Sequence, residues 1–130
     1  MIHKIAFDLT QGKTLQIDLY DNMAPRTVHS ILKCLPLSTI IHVWGKELYT
    51  DPLPVDSDAE NSRPSVDLMD VAFWPPGKAI CLFFGPTPIS KNGMIIPYSP
   101  VNVIGKIKET DTGFLKEDLD KKKVTFRLIS

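Results

Sequence analysis

The sequence predicts a mainly β protein, either a closed antiparallel barrel capped by helices or a β-sandwich. Three observations lead there. About eight short segments have strand length and strand patterning, and the links between them are too short for repeated parallel crossovers. Only two segments have helical patterning. The stretch Asp70–Pro88 holds two apolar runs either side of Pro75-Pro76-Gly77-Lys78. That composition suits a tight turn, because Pro presets φ and Gly tolerates positive φ. The second run, Ala79–Phe84, has no polar residue, which marks a strand buried on both faces and puts this hairpin at the centre of the core. A chain of 130 residues has the size of one domain, so residues 1–130 are expected to form a single one.

Taken in order, residues 2–9 alternate, with Ile5, Phe7 and Leu9 on one face. Gln11-Gly12-Lys13 reads as a turn. Leu15, Ile17 and Leu19 alternate again, with Gln16 and Asp18 facing away, which completes an antiparallel hairpin with one face to the core. Asp21–Ala24 breaks the pattern, and Pro25 stands at a favourable first helical position. Val28, Ile31, Leu32 and Leu35 form one helical stripe. Pro36 ends that helix, because the residue before a proline avoids the helical region. Thr39–Trp44 and Glu47–Tyr49 flank Gly45-Lys46 as a second hairpin. Residues 51–67 are polar, proline-bearing and aperiodic, and read as an exposed loop, mobile in its middle. The central hairpin follows, then a long irregular connection from Pro86 to Pro100. Val101, Val103, Gly105 and Ile107 alternate in a late strand. Asp111–Leu119 reads as a short helix, with Asp111 or Thr112 as N-cap. Val124, Phe126 and Leu128 form the last strand.

Fifteen basic residues balance fifteen acidic ones. The chain therefore lacks the basic patch that a nucleic acid or an anionic membrane requires, and neither is expected as a partner. The run Lys121-Lys122-Lys123 sits beside Asp118 and Asp120 and reads as a solvated turn. No apolar run has membrane-spanning length. Cys34 and Cys81 both lie in apolar patterns, where free cysteine behaves as a small hydrophobe. With strand residues starting at the N-terminus, the expectation is a cytoplasmic protein with reduced thiols. His3, His29 and His42 lie on separate elements without ligand spacing, so neither a metal nor another cofactor is expected.

Four patches carry a resemblance to a known family. They are Ile17–Asp21 followed by Ala24-Pro25-Arg26-Thr27-Val28, Leu82-Phe83-Phe84 followed by Thr87, Ile104-Gly105-Lys106-Ile107, and Thr125-Phe126-Arg127-Leu128. Together they resemble the cyclophilins. More narrowly, Trp44–Tyr49, Phe73-Trp74-Pro75-Pro76-Gly77 and Phe83–Pro88 are similar to a small prokaryotic family described as cyclophilin-like. The resemblance covers nearly the whole chain. It implies a closed eight-stranded antiparallel barrel capped by two helices.

It also implies a chemistry. Cyclophilins catalyse prolyl cis/trans isomerisation, whose uncatalysed barrier is about 18–20 kcal/mol. Their catalysis needs a greasy pocket for the proline ring and a donor that favours the twisted amide. In the family the donor is an arginine on the third strand. Here that segment reads Ile40-Ile41-His42-Val43-Trp44, and no arginine occurs between Arg26 and Arg63. His42 is the nearest replacement donor, and a neutral imidazole is weaker than a guanidinium. By the resemblance, Phe84 takes the pocket phenylalanine position, Thr50 that of a glutamine, and Ile96 and Val101 those of a tryptophan and a histidine. Phe83 is expected to point the opposite way to Phe84. Trp44, Tyr49 and Tyr98 either rim a groove or plug the hairpins, while Trp74 reads as structural. The expectation is a binding module that holds a proline-containing peptide or a small apolar ligand in a groove lined by Phe84, with Trp44, Tyr49, Thr50, Ile96 and Tyr98. The alternative is a weak or reconfigured isomerase using His42. The sequence leaves the oligomeric state open.

Overall fold

The interior is built by alternation. In β1 (Ile2–Leu9) and β2 (Thr14–Tyr20), Ile5, Phe7, Leu9, Leu15, Ile17 and Leu19 are all buried in one cluster. The computed structural model describes residues 1–10, 12–108, 113 and 115–129. Gln11 of the first turn, and Asp111, Thr112 and Phe114 of the second predicted helix, lie outside the described residues.

After β2 comes α1 (Pro25–Cys34), which starts at the proline and ends where Leu35 turns extended before Pro36. Val28 and Ile31 are buried, and Leu32 and Leu35 pack against the same core. The later strands are β3 (Leu37–Trp44), β4 (Glu47–Thr50), β5 (Ser62–Arg63), β6 (Asp70–Trp74), β7 (Ala79–Phe83), β8 (Val101–Ile107) and β9 (Lys123–Leu128). All their pairings are antiparallel. The order β2-β1-β9-β3-β4-β7-β6-β8 returns from β8 to β2, which closes a barrel of eight, and the two-residue β5 hangs on the edge of β8. Among the described residues α1 is the one α-helix. Within the second predicted helix, residues Glu117–Leu119 form a 3-10 turn.

The central hairpin has the predicted arms, and every residue of β7 is buried. Its corner differs in detail. The left-handed residue is Lys78, at φ 50°, not Gly77. Gly77 serves a different purpose: a Cβ there would lie 2.3 Å from the Trp74 ring. The glycine lets the indole lie flat across its own turn.

A second apolar cluster covers the outer face of this part of the barrel. Ala72 of β6, Cys81 and Phe83 of β7, and Val101 and Val103 of β8 meet Val66, with Tyr49, Trp74 and Ile95 packed on them. The two long connections form its cover. In the 86–100 connection, Ser90 Oγ accepts from the N–H groups of Thr87 and Ile96, both at 2.9 Å. Val66 N–H donates to the Ile95 carbonyl at 3.0 Å and ties the two connections together.

The loop predicted over 51–67 is largely exposed, as expected, but it is anchored to the barrel at several points. Leu53 and Val55 are buried in the barrel core. Asn102, fully buried on β8, accepts from Glu60 N–H at 2.9 Å and donates to the Asp58 carbonyl at 2.8 Å. Glu60 then caps α1 from a distance. Its carboxylate accepts from the N–H groups of Arg26 and Thr27 and from the Thr27 hydroxyl, at 3.2, 2.8 and 2.9 Å. Ala24, the residue at the cap position, makes no side-chain cap. Burial raises the Glu60 carboxyl, but the Thr27 and Arg26 donors outweigh it and hold the group below its ordinary value. Glu60→Ala is expected to lose about 1–2 kcal/mol, the usual worth of a helix cap. Urea unfolding near neutral pH measures it; an unchanged midpoint would show that Glu60 contributes nothing to the helix start.

Candidate functional site

The outer-face cluster leaves a cavity of about 310 Å³ beside it. Alternation on β4 builds its floor. Leu48 points into the barrel, so Glu47 and Tyr49 point out. Tyr49 pairs with Cys81 of β7, and Glu47 pairs with Trp44 across the β3–β4 hairpin. Trp44, Trp74 and Tyr98 form the walls, and Pro97 and Val101 complete the lining. The Tyr98 ring stands edge-on to both indoles, 6.2 Å from Trp44 and 5.8 Å from Trp74. Tyr98 is 74% exposed and forms the outer lip. The Trp74 N–H is already used, donating to Ser99 Oγ at 2.6 Å.

Glu47 is the chemically unusual member. It is 5% exposed, and its Oε1 has no hydrogen-bond partner among the described residues. Burial pushes its carboxyl up to about 7 against an ordinary 4.5, opposed by a hydrogen bond from the Cys81 thiol. Burial also pushes the Cys81 thiol well up, and the adjacent Glu47 charge adds to it. Tyr49 is raised for the same two reasons in the same order.

The sequence-predicted residues divide between places. Trp44, Tyr49 and Tyr98 meet at this cavity. Trp74, read as structural, lines it too. Thr50, next to Tyr49, faces the other way; it is buried, and its hydroxyl accepts from Ile80 N–H at 3.1 Å. Ile96 is absent from the cavity wall, and its main chain is held by Ser90 and Thr87. His42 sits behind Tyr49 rather than in the cavity. Its ring stacks on Tyr49 at 5.2 Å, and its Nε2 lies 2.5 Å from Asp51 Oδ1.

Phe84 is not at this site. β7 ends at Phe83, which takes the outer face, and Phe84 N–H donates to the Lys46 carbonyl just beyond the strand. Its ring packs at the margin of the barrel core and lines a separate cavity with Gly45, Lys46 and Leu115. The one-residue step from Phe83 to Phe84 decides the face, as it does on any strand. Sequence reasoning missed Glu47 and Cys81. The available signal was a glutamate on a short strand that must pair with β7, a strand with no polar residue.

Comparison with known proteins agrees with this architecture. A family model described as cyclophilin-like matches residues 3–127. The chain is similar to the hypothetical protein AF2241 from Archaeoglobus fulgidus, known from a solution structure, at 38% identity over 97% of this chain and 94% of that one, with a TM-score of 0.80. It also shares its fold with McbB, solved in complex with tryptophan, at 20% identity over 95% of this chain and 44% of that one, with a TM-score of 0.72. No curated protein matches it. A closed antiparallel barrel, a proline-started helix and a family match over almost the whole length make one conclusion: the chain belongs to the cyclophilin-like family.

Proposed function

We propose that the protein is a binding module, which holds a small, mostly apolar ring-bearing ligand in the outer-face cavity without turning it over. The ring is either that of a small molecule or the proline of a peptide. The observation that supports this most is the wall of Trp44, Tyr49, Trp74 and Tyr98 around about 310 Å³. Ligand sites are concave, mainly apolar and aromatic, with volumes of roughly 300–1,000 Å³ and few polar groups. Tyrosine and tryptophan suit such a position because one side is apolar and the other can stay wet. McbB, which shares the fold alone, is named in complex with tryptophan, a ring of this kind.

Turnover of a prolyl bond finds less support. Among the described residues no arginine lines the cavity. His42 is engaged by Asp51. Without a donor aimed at the amide, the twisted state gains little.

NMR on an Ala-Pro-Phe peptide tests both halves. On titration, the indole N–H signals of Trp44 and Trp74 are expected to shift. The cis and trans peptide signals should show no new exchange, since uncatalysed interconversion takes tens of seconds or more. Sub-second exchange peaks would instead establish an isomerase. Indole signals that stay fixed would argue against a peptide ligand and leave the small-molecule form.

A further inference from the structure

We infer that the ligand of the outer-face cavity carries a positively charged amine, seated on the Glu47 carboxylate with its apolar body against the Trp44, Trp74 and Tyr98 rings. The inference rests on the cavity being a binding site and adds the chemical class of what it takes.

Glu47 carries the argument. A carboxylate is almost never fully buried unless something pairs with it. Glu47 is 5% exposed and lines the cavity, yet its Oε1 has no partner among the described residues. Among the described residues no cation stands there. None of the lining residues is Lys, Arg or His. Lys46, its neighbour, lines the separate cavity beside Phe84. His42 faces Asp51. On β7 the Cys81 thiol hydrogen-bonds the carboxylate, but burial keeps it neutral, so it brings no compensating charge. A neutral donor would satisfy Oε1 but leave the buried charge uncompensated, so the partner that fits best is a cation from outside.

The walls fit the same class. A cation over an aromatic face is attracted by the ring's negative π face, and several rings can share one cation. Tyr98 stands at 67° to Trp44 and 82° to Trp74. Rings set at such angles present faces and edges to one half-open volume, which suits an ammonium head joined to a flat apolar body. An anion would meet the carboxylate and be repelled. A neutral acceptor would bind only to the protonated acid and would lose the charge attraction.

A matched pair of probes tests the charge. At about pH 8.5, phenethylamine is protonated and Glu47 ionised, whereas 2-phenylethanol has a similar shape and no charge. Binding is read by calorimetry and by the indole N–H signals of Trp44 and Trp74. The amine is expected to bind about tenfold or more tighter, as a charge-assisted bond to a largely buried carboxylate should. In Glu47→Gln that preference should vanish while 2-phenylethanol still binds. Equal affinities in the unaltered protein, or a preference that survives Glu47→Gln, would overturn the inference and leave the cavity as a site for neutral rings. If neither probe binds, the binding reading falls together with it.

Discussion

Glu47→Gln is expected to stabilise the protein by about 3 kcal/mol near pH 8 and to change it little near pH 4. The carboxyl titrates at about 7 in the folded protein against an ordinary 4.5, with burial as the main cause. At about 1.36 kcal/mol for each tenfold change in acidity, that gap gives the expected figure. The direction follows from which state holds the proton. Below 4.5 the acid is neutral in both the folded and the unfolded chain, so burying it costs no charge. Between 4.5 and 7 the unfolded chain releases its proton while the folded chain retains it, and stability falls as pH rises. Above 7 the folded carboxyl ionises too, and the loss levels off. A glutamine of the same shape has no charge to lose, so the two proteins should diverge only over that window. Urea unfolding of both at pH 4 and pH 8 measures the divergence. A difference independent of pH would mean that Glu47 is solvated in the folded protein, and the cavity would lose its distinctive group.

That cost bears on function. A carboxylate held at a loss of stability invites the reading that it acts on something, since strained or poorly satisfied groups gather at sites. A ligand cation would relieve the cost on binding. The two Glu47→Gln experiments are therefore linked: the substitution that strengthens the empty fold should weaken recognition of the amine.

Much of the barrel was legible because its signals are local. The alternation of Ile5, Phe7 and Leu9, the stripe of Val28 and Ile31, and the apolar run from Ala79 each identify an element without knowledge of its partners. The site was legible only in part. Trp44, Tyr49 and Tyr98 were in view because large aromatics beside glycine and proline turns are conspicuous. Glu47 was not, because its meaning depends on burial by β7 and the 86–100 connection, far along the chain. That Phe84 lies apart from Trp44 and Tyr49 was not visible for a related reason. A strand's period of two leaves the face undecided until the last paired residue is known, and β7 stops one residue short of it. The 51–67 loop reads as solvated from its charges. Its order comes from Asn102, a buried amide some forty residues away, and from the Glu60 contact to the helix start.

Gly105→Ala is expected to cost about 3 kcal/mol or more, at the upper end of overpacking changes. Gly105 sits where the barrel closes. It pairs with Leu19 of β2 on one side and with Val71 of β6 on the other, next to a register shift between Val71 and Ala72. A Cβ at this position would lie 1.9 Å from the Asp18 carbonyl oxygen and 3.1 Å from the Leu19 Cα. Both are backbone atoms, so no side-chain rotation relieves the clash and β8 must move from β2. Gly93→Ala is the matching control. Its φ of +73° is strained for alanine, but nothing lies within 4 Å of the new Cβ, so the loss should stay near about 1 kcal/mol. Urea unfolding compares the two, and hydrogen exchange shows where the loss falls. In Gly105→Ala, faster exchange should concentrate on amides at the β2–β8 closure, such as Lys108 N–H, which donates to the Gln16 carbonyl. The effect should also reach the site. Val101, at the other end of β8, lines the cavity, and Asn102 beside it holds the loop that caps α1. Equal losses in the two variants would mean that backbone conformation, not the approach of β2, is what requires glycine at 105.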